Sequence, residues 1–104
     1  MAQHRHPHAD RFLLRLDALL VMATRLDQPE KRRAYGPDMN GLIVDILNAT
    51  PRPPDALDRQ LRAARIGLSR LLASSRVEIA LVEEVRSALA DARALLEEPA
   101  LAQR

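Results

Sequence analysis

Leu57, Leu61, Ala64, Leu68 and Leu71 recur at steps of four and three, the spacing that places side chains in one stripe along an α-helix. Beyond Ser74–Ser75 the stripe resumes with Val82, Val85, Leu89, Ala92 and Leu96, flanked by a second row of Val77, Leu81, Ala88 and Leu95. Residues 55–98 are therefore either two helices folded back at the serines or one long rod. Ser75 and Glu78 fit S-x-x-E, the reciprocal capping pattern of a helix start, and favour the hairpin. Against it, no Gly or Pro marks the turn and the spacing runs through it unbroken.

Two further helices precede this unit. The first is expected from Asp10, as N-cap, to about Leu26, with Phe12, Leu16, Leu19, Leu20, Ala23 and Leu26 as its main stripe. Leu14, Ala18, Val21 and Met22 make its other side apolar too, so it must be covered on more than one side. Self-association through Leu14, Val21 and Met22 is the expected solution. The second helix is expected over residues 38–49, with Leu42, Ile43, Ile46 and Leu47 inward. Its β-branched content would suit a strand, but no second strand pattern exists to pair with it. Residues 27–37, punctuated by Pro29 and Gly36–Pro37, read as a loop or frayed helix end. Thr50-Pro51-Arg52-Pro53-Pro54 cannot continue a helix. Helix three then starts with Asp55 as N-cap and Asp58 three residues on.

The expected architecture is all-α: a four-helix up-down bundle with helices at about 10–26, 38–49, 55–73 and 76–97. Residues 1–9 and 99–104 are expected to be tails flanking one helical domain, 10–98. With 104 residues there is room for one core. Hydrophobic residues make up 47% of the chain while aromatics reach only 2%, which agrees with a Leu- and Ala-built helical bundle.

Composition removes several function classes. Cysteine is absent, which excludes disulfides and thiolate chemistry. The three histidines lie at positions 4, 6 and 8, and no serine has a base placed by motif, so nucleophilic catalysis lacks its parts. Only Gly36, Gly41 and Gly67 are present, and they form no phosphate-cradling loop. His4, His6 and His8 alternate and could ligate a metal if extended, or be solvated tail residues. Glu83, Glu84 and Asp91 have no partner ligands on another inner face, so no carboxylate metal centre is expected. No apolar run approaches the roughly 20 residues of a membrane span, and no signal peptide is evident. A non-enzymatic, cytoplasmic protein of bacterial type, without cofactor or metal, is expected.

Charge gives the one positive signal. Residues 55–76 carry five Arg (59, 62, 65, 70, 76) against two Asp, whereas residues 77–104 carry three Arg against six acids. A basic helix is followed by an acidic one. Lys31, Arg32 and Arg33 form the densest basic cluster, with Tyr35 beside it. Arg32, Arg33, Arg59, Arg62, Arg65 and Arg70 are the candidate nucleic-acid contacts, because the guanidinium fork pairs bidentately with phosphate. Ile66 among these arginines suggests a contact surface. The bland alternatives are a solvated helix end and a solvated cationic face, and an Arg- and Ala-rich composition also follows from a GC-rich genome.

The stretch from Leu26 through Leu96 resembles the small bacterial four-helix-bundle proteins grouped with the 23S rRNA intervening-sequence proteins, which include the accessory variability proteins of diversity-generating retroelements. The residues carrying the resemblance are Pro29-x-Lys31-Arg32-Arg33 with Tyr35-Gly36, then Leu42-x-x-x-Ile46-Leu47-x-Ala49, Leu61-x-x-Ala64 and Leu68-x-Arg70-Leu71-Leu72. The chain departs from that group in helix four, which is acidic and lacks a Gly- and aromatic-rich ending. The resemblance implies a bundle forming a ring-like homo-oligomer, with a basic surface that engages RNA or DNA and a reverse transcriptase. The alternative is a homo-oligomeric protein–protein adaptor, in which the arginines meet acidic partners, including helix four of a neighbouring subunit.

Overall fold

The apolar stripes of the sequence become the inner faces of four helices in the computed structural model, which describes residues 9–50, 52–74 and 78–97. They are α1 (Ala9–Ala23), α2 (Pro29–Leu47), α3 (Asp55–Ala73) and α4 (Ile79–Glu97). No strand occurs among the described residues. Helix α1 packs on α2 and α4, and α3 packs on α2 and α4, while the backbones of the diagonal pairs stay apart. The α3–α4 pairing is the most extensive. This is the expected up-down bundle, with the expected hairpin rather than a rod.

One core joins all four helices. Phe12, Leu16, Leu19, Ala23 and Leu26 from the first segment meet Met39, Ile43, Ile46 and Leu47 of α2. The α3 stripe Leu57, Leu61, Ala64, Leu68 and Leu71 closes on Val82, Val85, Leu89, Ala92 and Leu96 of α4. Burying each large aliphatic side chain contributes about 1.5–3 kcal/mol. Gly67 lets α3 and α4 approach closely: a Cβ there would lie 3.1 Å from Val85 Cγ2.

Several helix ends differ from expectation, beginning with α1, which starts at Ala9 so that Asp10 lies inside it and not at its N-cap. Helix α1 stops at Ala23, and the chain tightens into i→i−3 bonds (Arg25 N to Met22 O, 3.0 Å; Leu26 N to Ala23 O, 3.3 Å), which still deliver Leu26 to the core. Helix α2 starts nine residues before the expected 38, because Pro29 occupies its first turn, where a missing N–H removes nothing. Gly36–Pro37 then lies inside the helix. A residue before proline avoids the α region partly through its Cβ, and Gly36 has none. Pro37 leaves the Arg33 carbonyl without its helical partner, but both residues are exposed, so water can bond it. Helix α3 begins at Asp55 itself with Pro54 at the N-cap and no side-chain cap, so the Asp55 cap does not form. Asp58 pairs with Arg62 instead.

Ser75 of the expected capping box lies outside the described residues. Glu78 precedes the first residue of α4 rather than standing three residues inside it. Its carboxylate accepts a hydrogen bond from Ser74 Oγ at 2.9 Å, closing the α3–α4 turn from the other serine.

Candidate binding surface

The six candidate arginines separate into four environments. Arg32 is buried and engaged within the fold, which removes it from any open phosphate site. Its position in the first turn of α2 turns it inward with Met39 and Ile43. Arg65 is exposed but lies toward α2, donating from Nε to Asn40 Oδ1 at 3.2 Å. Arg33 is exposed on α2.

The outer face of α3 carries the rest. Arg59, Ala63, Ile66, Arg70 and Ala73 are all exposed and step by four, three, four and three along the side opposite the core. Ile66 is 61% exposed in the middle of this row. Arg59 and Arg70 make no ion pair among the described residues. Arg62 flanks the row and donates from Nε to Asp58 Oδ1 at 2.5 Å. That hydrogen bond, and then the Asp58 charge, raise the Arg62 pKa above its ordinary value, so the group stays cationic. Beside Arg70 lies an open hollow lined also by Ala73, Ser74, Glu78 and Leu81.

Helix α4 presents a parallel strip of the opposite sign. Ala80, Glu84, Ser87, Asp91 and Ala94 are exposed and keep the same four–three spacing. Neither Glu84 nor Asp91 makes an ion pair among the described residues. The outer surface of the hairpin is thus a basic strip beside an acidic strip, with no ion pair joining them.

The sequence reading missed the two arginines that tie α4 to α1. Arg86 donates to Ala23 O at 2.8 Å and Thr24 O at 3.0 Å, carbonyls at the end of α1, where a cation suits the helix dipole. It also pairs with Glu83 at 3.1 Å and lies 3.9 Å from Asp27. Arg93 bridges Asp17 of α1 and Glu97 of its own helix, and these hydrogen bonds raise its pKa above the ordinary value. Their seven-residue separation, which puts both on one edge of α4, was the available signal.

Tyr35 is half-buried against the core with Lys31 Nζ 5.9 Å from its ring centre, so its ring is not an open stacking platform. The expected oligomer contacts also separate. Leu14 is 72% and Val21 65% exposed, with exposed Ala18 between them, while Met22 packs against the core and leaves that stripe. His4, His6 and His8 lie outside the described residues, among which no group of three or more His, Asp or Glu could hold a metal ion. No helix among the described residues is long and apolar enough to cross a membrane. Comparison with protein-family models, with curated proteins and with solved structures gives no match.

Proposed function

We propose that this bundle is a non-enzymatic, nucleic-acid-associated accessory protein that binds phosphate backbone through the outer face of α3. The observation that carries the reading is the exposed row of Arg59 and Arg70, unpaired among the described residues and flanked by Arg62. Eleven residues of helix separate the two ends of the row, about 16 Å at 1.5 Å per residue, long enough to meet several successive phosphates. The row has no Asn, Gln or aromatic side chain aimed outward, so recognition is electrostatic and insensitive to base sequence. The family likeness adds a reverse transcriptase as the expected protein partner.

Retention of RNA and DNA at about 50 mM salt, repeated at rising salt, tests the reading. The expected log–log slope is about −0.9 per duplex phosphate contacted, and about −0.7 on single strands. Replacing Arg59, Arg62 and Arg70 together by glutamate should abolish retention with helicity intact. A wild-type protein that retains neither polymer overturns it.

A second reading, a homo-oligomeric adaptor without nucleic-acid binding, is favoured by the exposed Leu14–Ala18–Val21 stripe on α1. Under it, Leu14→Lys with Val21→Lys converts an oligomer to a monomer in light scattering, and arginine reversal does not.

A further inference from the structure

We infer that the α3 row is covered, in the absence of polyanion, by the acidic strip of α4 from a second copy of this chain, forming a symmetric dimer that polyanion must displace. The inference rests on the phosphate-binding reading for its regulatory half, and on charge and register for the dimer itself.

Complementarity is the first argument. Arg59, Ala63, Ile66, Arg70 and Ala73 on α3, and Ala80, Glu84, Ser87, Asp91 and Ala94 on α4, are ten exposed residues on the same outer surface of the hairpin. Both strips include small residues, Ala63 and Ala73 on α3 and Ala80, Ser87 and Ala94 on α4, at the spacing by which helices pack side by side. The Arg59, Arg70, Glu84 and Asp91 charges find no ion-pair partner in their own chain among the described residues.

Register is the second. The Gly67–Val85 contact marks one shared height across the antiparallel hairpin. Counting 1.5 Å per residue from it, Arg70 and Glu84 lie within about 3 Å of the same height, and Asp91 falls between Arg62 and Arg59. Ile66 lies at about the height of Ser87, a small residue that leaves it room. A two-fold axis parallel to the helices lays α3 of one copy over α4 of the other and preserves these heights. Both strips of both copies are then matched at once, as an isologous interface requires. The reverse stacking, α3 on α3, sets like charges against each other.

Sedimentation velocity at low salt tests the dimer. The wild type should sediment as a dimer that weakens as salt rises. Arg59→Glu with Arg70→Glu, and separately Glu84→Arg with Asp91→Arg, should each weaken it by at least about tenfold. All four substitutions in one chain restore the pairing of position 70 with 84 and of 59 with 91, with net charge unchanged, and should restore the dimer. Circular dichroism checks each fold, and the salt titration of the wild type stands even where a variant fails to fold. Leu14→Lys with Val21→Lys should leave the dimer intact. A wild-type monomer, a dimer indifferent to both reversals, or one dissolved by the α1 substitutions overturns the inference.

RNA separates the two readings. Glu84→Arg with Asp91→Arg frees the arginine row, and should bind RNA more tightly than wild type, while RNA added to wild type should dissociate the dimer. A dimer that passes every reversal test while neither protein binds RNA leaves the dimer standing and removes the phosphate reading. RNA binding that leaves the dimer whole overturns the displacement.

Discussion

Arg86 shows how one side chain can hold two elements together. It is half-buried, and its guanidinium serves two carbonyls at the end of α1: Ala23 O, which also accepts from Leu26 N, and Thr24 O. Arg86→Ala removes both hydrogen bonds, and the expected loss is about 0.5–1.5 kcal/mol for each in urea denaturation. Arg86→Lys should recover only part of it, because an ammonium is a single point charge and not a planar fork. The glycines give a second residue-scale contrast. A Cβ on Gly36 would lie 2.5 Å from Leu72 Cδ2, whereas one on Gly41 meets nothing within 4 Å. Gly41→Ala should therefore stabilise the protein by about 0.4–1 kcal/mol, the usual gain in a helix. Gly36→Ala should destabilise it, because a Cβ before Pro37 crowds the helical backbone there and also displaces the ends of Leu72; thermal melts of the two variants check the sign.

At the scale of the element, α2 is the helix whose bounds its sequence hides. Its first proline is favourable and its second is tolerated, and the burial of Arg32 and Gly36 and the packing of Tyr35 on the core distinguish that helix from a loop followed by a shorter helix. Pro37→Ala should raise the melting temperature, because an internal proline costs a helix up to about 3 kcal/mol. If residues 29–37 formed a loop, the same substitution would remove a favourable constraint and lower it. The raised pKa values of Arg62 and Arg93 are stabilising below the ordinary arginine value and lost only as pH rises through the folded value. From these two groups, stability measured between neutral and mildly acidic pH should stay flat.

Over the whole molecule, net charge is only +2, too small to account for polyanion binding by itself. What matters is that basic and acidic residues fall on separate outer strips of one hairpin. Arg11→Glu on α1 with Arg25→Glu just past its end changes the net charge as much as Arg59→Glu with Arg70→Glu does, and both residues are exposed. Filter retention of RNA should fall with the α3 pair and remain near wild type with the Arg11 and Arg25 pair. Equal losses would mean that total charge governs binding.

The class of fold was legible along the chain because helical periodicity is local. Leu57 to Leu71 and Val82 to Leu96 show which face of each helix turns inward before any partner is known. The Pro-rich segment from 51 to 54 was legible as a boundary for the same local reason, and α2 ends ahead of it at Leu47. The break after Ala73 was legible as one of two outcomes, and the packing of α4 back on α3 selects the hairpin. The roles of the arginines were not legible, because the same side chain serves a carbonyl, a carboxylate or solvent according to which neighbour faces it. Arg32 looked like part of an open basic cluster, yet the core of the bundle takes it in. Arg86 and Arg93 looked like ordinary charges on an acidic helix until the edge of α4 met α1. Arg59 and Arg70 remained outside only because α2 and α4 flank the opposite half of α3, a fact set by contacts between residues far apart in the chain.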